Sequence, residues 1–120
     1  MTTEYHRGSL EKHEAIKELI LQRPEIVGVD KDDVVNIETE LPLIRRKRPV
    51  AQPDIVIEYS SGKNIRRKFI EVKSSNCKRA ITGLQMQMKK VSKYLKYKKI
   101  KGDVVGVYCQ GSLLNISLMH

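Results

Sequence analysis

Tryptophan is absent from this chain of 120 residues, phenylalanine occurs once and cysteine twice. No apolar run approaches the roughly 18 residues that a membrane-spanning helix needs, which excludes that class. The N-terminus is polar and offers no apolar signal region, so a cytoplasmic location is expected. Cys77 and Cys109 have no metal-ligand spacing and are too few for a disulfide framework, so reduced thiols are the expectation. His6, His13 and His120 share no ligand spacing either, and a lone histidine is usually structural or exposed. Low-complexity segments and internal repeats are missing, and so is any motif for reading bases. What remains suits one domain over residues 1–120: an apolar share of 40% is enough for a single core, with no room for a separate recognition domain. Met1 to Arg7 is expected to be frayed or disordered.

Acidic residues are scarce in one region above all. From Lys63 to Lys101 there are 14 Lys and Arg against a single acid, Glu71, and the whole chain carries +9 with a pI near 9.7. A basic field of this density attracts polyanions and favours phosphate backbones. The bland alternative is a soluble basic surface. Frequent Glu, Lys and Ile without Trp also fit a thermophile.

That lone acid lies in the most informative segment. Ile55-Val56-Ile57-Glu58-Tyr59 and Lys68-Phe69-Ile70-Glu71-Val72 are β-branched and aromatic runs separated by Ser60-Ser61-Gly62-Lys63-Asn64, which predicts a hairpin. A turn centred on Gly62 and Lys63 sets Asp54 opposite Glu71. Cross-strand partners share a face, as do residues two apart on one strand, so Asp54, Glu71 and Lys73 should cluster. Paired carboxylates repel and are costly to desolvate; a divalent cation removes that cost. Mg²⁺ takes one or two carboxylates plus waters and substrate phosphate, and Mn²⁺ can substitute. With Lys73 to polarise a water or hold a phosphate, these are the parts for metal-assisted phosphodiester hydrolysis. A surface hairpin with a solvated charged face is the structural alternative.

The flanking pattern predicts a helix from Leu10 to Gln22 with Ser9 as its N-cap and Leu10, Ala15, Ile16, Leu19 and Ile20 as its apolar stripe. Pro24 ends it. Ile26 to Val29 reads as a short strand or irregular segment, Val34 to Leu43 as a strand, and Arg45-Arg46-Lys47-Arg48-Pro49 as a basic loop. A second helix is expected from Ala80 to Lys98. Its core face is Ile81, Leu84, Met88, Val91 and Leu95, and its other face is lysine: Lys89, Lys90, Lys93 and Lys96. Met86 and Met88 read as core or gap-filling residues. Strands are expected over Val104 to Cys109 and Leu113 to Leu118, with a turn at Gln110-Gly111. Phe69 to Tyr108 would form a right-handed crossover joining parallel strands. Phosphate contacts are expected from Arg45, Arg46, Lys47, Arg48, Lys78, Arg79, Lys89, Lys90 and Lys93.

Pro53-Asp54 followed by Glu71-Val72-Lys73 resembles the signature of the PD-(D/E)XK nuclease superfamily, over residues 8 to 110. Arg7-Gly8-Ser9 before a Glu-bearing helix, and Glu71-Val72-Lys73-Ser74 followed by Gln87, Val91 and Tyr94, resemble archaeal Holliday junction resolvases. Glu18-Leu19-Ile20 and Arg23-Pro24-Glu25-Ile26 look more like archaeal mismatch and branched-DNA endonucleases.

The resemblance implies an α/β fold with a restriction-endonuclease-like core, a mixed central sheet flanked by helices in the order α-β-β-β-α-β-β. It implies a Mg²⁺-dependent DNA endonuclease selective for branched or junction DNA, with a role in DNA recombination or repair. A resolvase would be a homodimer, because its two cuts are symmetric. Asp54 and Glu71 would be metal ligands, with the Val72 carbonyl a third and Glu14 or Glu11 from the first helix a fourth; Glu38 and Glu40 are lesser candidates. Lys73 would act as base or electrostatic stabiliser. Gln87, with Gln85 as its rival, would sit near the site. The alternative from another class is a non-catalytic nucleic-acid-binding module, or a nuclease subunit that needs a partner.

Overall fold

In the computed structural model, which describes residues 4–110 and 116–120, the Gly62-Lys63 turn organises the sheet. Strand β4 (Ile55–Ser61) folds back on β5 (Asn64–Lys73), pairing Ile55 with Ile70 and Ser61 with Asn64. This is the register anticipated from the sequence, and it carries Asp54 to Glu71. Helix α2 (Lys78–Lys98) then returns the chain to β6 (Asp103–Cys109), which lies parallel to β5. Strand β7 (Ile116–Met119) pairs antiparallel with β6, and β1 (Val34–Thr39) antiparallel with β4. The result is an α/β fold with a mixed five-stranded sheet in the order β1-β4-β5-β6-β7 and two helices. The expected order of elements is present in this sheet, with a separate hairpin added before β4.

Strand alternation divides the core in two. Ile55, Ile57, Ile70, Val72, Val105 and Val107 meet Ile16 and Ile20 of helix α1 (Glu4–Gln22), while Val56 and Phe69 on the other face meet Val91 and Leu95 of α2. Ile16 and Ile20 are fully buried, each stabilising the fold by roughly 1.5–3 kcal/mol relative to exposure. Gly106 lets β6 approach α2 closely: a Cβ there would stand 2.7 Å from Met88 Sδ and 2.9 Å from a Leu84 methyl.

Several expectations are corrected. The first helix begins at Glu4, so Ser9 lies within it and does not cap it, and Glu4 to Arg7 are helical; Met1 to Thr3 fall outside the described residues. Leu10 is 64% exposed, because the buried face of α1 runs through His13, Ile16, Lys17 and Ile20, one step round from the stripe drawn from apolar residues alone. Residues Pro24–Val27 form a 3₁₀ turn closed by left-handed Gly28, not a strand. The strand expected to reach Leu43 stops at Thr39, where Glu40 takes φ 53. The supposed basic loop is a tight hairpin of β2 (Leu43–Arg45) and β3 (Arg48–Ala51), with Arg46 and Lys47 both left-handed at its turn. Met86 is 56% exposed, so only Met88 serves the core. The last strand starts at Ile116; Gly111 of the expected turn and Leu113 to Asn115 of the expected strand lie outside the described residues. Among the described residues, no helix is long and apolar enough to cross a membrane.

Candidate active site

Asp54 sits where β4 begins and Glu71 near the carboxyl end of β5, the end at which α2 starts. Ligands of open α/β sheets bind at such strand ends. The Asp54 N–H donates to Glu71 Oε1 at 3.2 Å, and the Val72 N–H donates to Asp54 Oδ2 at 2.7 Å. The two carboxylates are thus held together by backbone donors. Glu71 is 3% exposed. Burial pushes its carboxyl from 4.5 up to about 7, and the charge of Asp54 pushes the same way; the Asp54 N–H, Lys73 and His13 pull it back.

Lys73 follows Glu71 on the same face of β5. Its ammonium lies against Gly83 of α2, where a Cβ would be 3.6 Å from Nζ, an ordinary contact, so only a side chain longer than alanine's would compete for its place. Gln87 is half-buried one turn further along α2, on the face Gly83 presents; its rival Gln85 is exposed. Strand alternation therefore brings the side chains of Asp54, Glu71 and Lys73 to one face, and Val72, whose side chain packs on the other face, joins them through its backbone N–H.

The helix-1 acids stand differently. Glu11 is exposed. Glu14 is exposed and directs its carboxylate to Lys17 at 3.5 Å and His13 at 3.6 Å. Glu40 also reaches Lys17 at 3.5 Å, and Glu38 is exposed on β1 beside Asn36. Among the described residues, no group of three or more His, Cys, Asp and Glu side chains is arranged to hold a metal ion.

Two residues beside the site are not assigned to it from the sequence, where His13 reads as a lone structural or exposed histidine. His13 Nε2 lies 3.4 Å from Asp54 Oδ1, and that contact raises the imidazole above its usual 6.5 against the opposing effect of burial. Lys17 is 6% exposed, a cation folded under Glu14 and Glu40. The signal was available: positions 13, 16, 17 and 20 follow the i, i+3, i+4, i+7 rule of one helix face.

The basic residues gather around α2. Lys78 and Arg79 are exposed in its first turn, which has no acid, so positive side chains add to the positive end of the helix dipole. Lys89, Lys90 and Lys93 are exposed along it. Arg46, Lys47 and Arg48 are exposed on the β2–β3 hairpin, whereas the Arg45 guanidinium stacks 4.1 Å above the Tyr97 ring with its Nε buried. No protein-family model, curated protein or solved structure matches this chain.

Proposed function

We propose that this protein is a Mg²⁺-dependent DNA endonuclease with a PD-(D/E)XK site on a restriction-endonuclease-like core. One observation carries the reading: Asp54 and the buried Glu71 are locked side by side, next to Lys73, at the N-terminal end of α2, whose first turn holds Lys78 and Arg79. The donor set fits Mg²⁺, because two hard carboxylates and the Val72 carbonyl need only waters and a phosphate to complete the shell. Glu71 holds its proton to about pH 7 for want of a positive neighbour strong enough to offset burial. Bound there, the cation supplies Lewis-acid polarisation of the scissile phosphate.

The chain's own groups do the rest. The Val72 N–H fixes the Asp54 carboxylate. Lys73, lodged against Gly83, stabilises negative charge gathering on the phosphate oxygens. Lys78 and Arg79 draw the backbone toward the site. Branched or junction DNA is the proposed substrate, and a homodimer the proposed assembly, since paired cuts need paired sites.

The His13 contact favours a second reading. A protonated His13 offsets the charge of Asp54, with Glu71 neutral, without any metal ion, as a non-catalytic DNA-binding module would require. Labelled duplex, single-stranded, flap and four-way DNA incubated with Mg²⁺ or Mn²⁺ separates the two. Under the nuclease reading, Asp54→Ala abolishes cleavage, Lys73→Ala lowers it by roughly 10²–10³-fold, and both leave binding intact. Normal cutting by either variant overturns the site assignment; binding without cleavage of any substrate leaves the second reading standing.

A further inference from the structure

At the opposite end of β5 from Glu71, an open groove of about 1190 Å³ runs between one face of α2 and the start of β6. Its charged lining is one-sided: Arg66, Arg67, Lys89, Lys96 and Lys101 against Asp103 alone. Its floor is apolar, with Met88, Leu95 and Val104. Gln85, Lys89, Ser92 and Lys96 are exposed at successive turns along α2, so the groove follows the helix axis. Arg67 is also paired with Glu58 at 3.8 Å, and the Arg66 side chain alternates onto the α1 face of β5, which leaves the three lysines as the groove's cations without an acidic partner among the ion pairs of the described residues.

We infer that this groove is a second subsite, which takes the sugar-phosphate backbone of a DNA strand away from the scissile bond. Three exposed lysines along a channel suit a polyanion with regularly spaced charges, and release of its counterions drives the association. Among the described residues no Phe, Tyr or Trp lines the channel, and its lysines suit contact with the backbone without sequence preference. The step from Arg66 to Glu71 along β5 covers roughly 17 Å at ~3.3 Å per residue. A duplex advances ~3.4 Å per base pair along its axis, so a duplex laid along β5 presents a backbone to the groove about five base pairs from the cut. The inference rests on the nuclease reading for that distance alone.

The test is binding of fluorescein-labelled DNA in EDTA, with duplexes and single strands of graded length, measured over a salt series. The groove is probed with Lys89→Gln, Lys96→Gln and Lys101→Gln combined; all three positions are exposed, and an unchanged melting curve verifies the fold. The variant is expected to bind long DNA roughly tenfold more weakly and to lose about 2 to 3 from the slope of log affinity against log salt, at ~0.7–0.9 per phosphate contact. Oligonucleotides too short to span site and groove should bind both proteins alike. An unchanged slope overturns the subsite, as does an equal loss on the shortest strands. So does unaltered DNA binding with a changed sedimentation coefficient, which would make the groove a protein interface. DNA that binds through the groove but is never cut removes the nuclease reading and keeps the subsite; cleavage with an unchanged slope does the reverse.

Discussion

Asp54 and Glu71 complete the β4–β5 ladder with their side chains. Backbone pairing stops at Ile55 and Ile70; beyond it the Asp54 N–H goes to Glu71 Oε1 and the Val72 N–H to Asp54 Oδ2. Each carboxylate satisfies a backbone donor that the sheet would otherwise leave open. The backbone therefore holds the pair together, and its electrostatic strain falls on Glu71, the more deeply buried of the two.

That strain sets a pH dependence. Glu71 binds its proton more tightly folded, at about 7, than unfolded, at 4.5. Between these values the native state carries the extra proton, so stability falls as pH rises through the window. At ~1.4 kcal/mol per unit, the loss above pH 7 is on the order of 3 kcal/mol. Glu71→Gln stays neutral, so it should match the wild type near pH 5 and melt higher near pH 8. Saturating Mg²⁺ should raise the wild-type melting temperature at pH 8 and leave the variant unmoved. Parallel pH profiles for the two proteins would contradict this account of Glu71.

His13 reports on the same cluster from the helix side. Its contact with Asp54 raises the imidazole above 6.5, so the stability it contributes is present below that value and lost as pH rises through the folded one. The side chain is partly solvated, so solvent screening keeps that contribution small. Proton NMR titration, with His13→Gln to assign the resonance, should show a pKa above 6.5 in EDTA and a fall when Mg²⁺ is added. A His13 titration indifferent to Mg²⁺ would mean that no cation settles beside Asp54.

The hairpin site was legible because strand periodicity is strict: once Gly62 and Lys63 form the turn, the faces of Asp54, Glu71 and Lys73 follow. The core of α2 was legible for the same reason, with Leu84, Met88, Val91 and Leu95 all buried at helical spacing. Helix α1 was harder, since His13 and Lys17 are polar residues on its buried face, and a search for apolar stripes passes over them. The β2–β3 hairpin was hidden by its turn chemistry. Left-handed conformations are typical of Gly and Asn, so Arg46 and Lys47 gave no sign of a turn. The groove beside β6 depends on where α2 lies relative to the sheet edge, which no local pattern encodes.

Gly83 offers the sharpest test of Lys73. Glycine inside a helix costs about 1 kcal/mol relative to alanine, so its presence in α2 asks for a reason, and the Lys73 ammonium fills the space a larger side chain would take. Gly83→Ala brings its methyl only to ordinary contact with Lys73, and should stabilise the fold by up to about 1 kcal/mol with cleavage retained. Gly83→Leu must push the ammonium aside. Its helix should persist, DNA binding should survive, and single-turnover cleavage should fall by roughly 10²–10³-fold, the loss typical of removing one transition-state stabiliser. Lys73→Ala should fall as far, and the double variant no further, because both changes remove the same charge. A Gly83→Leu protein that cuts at the wild-type rate would show that the ammonium does not act from the place where Gly83 lets it rest.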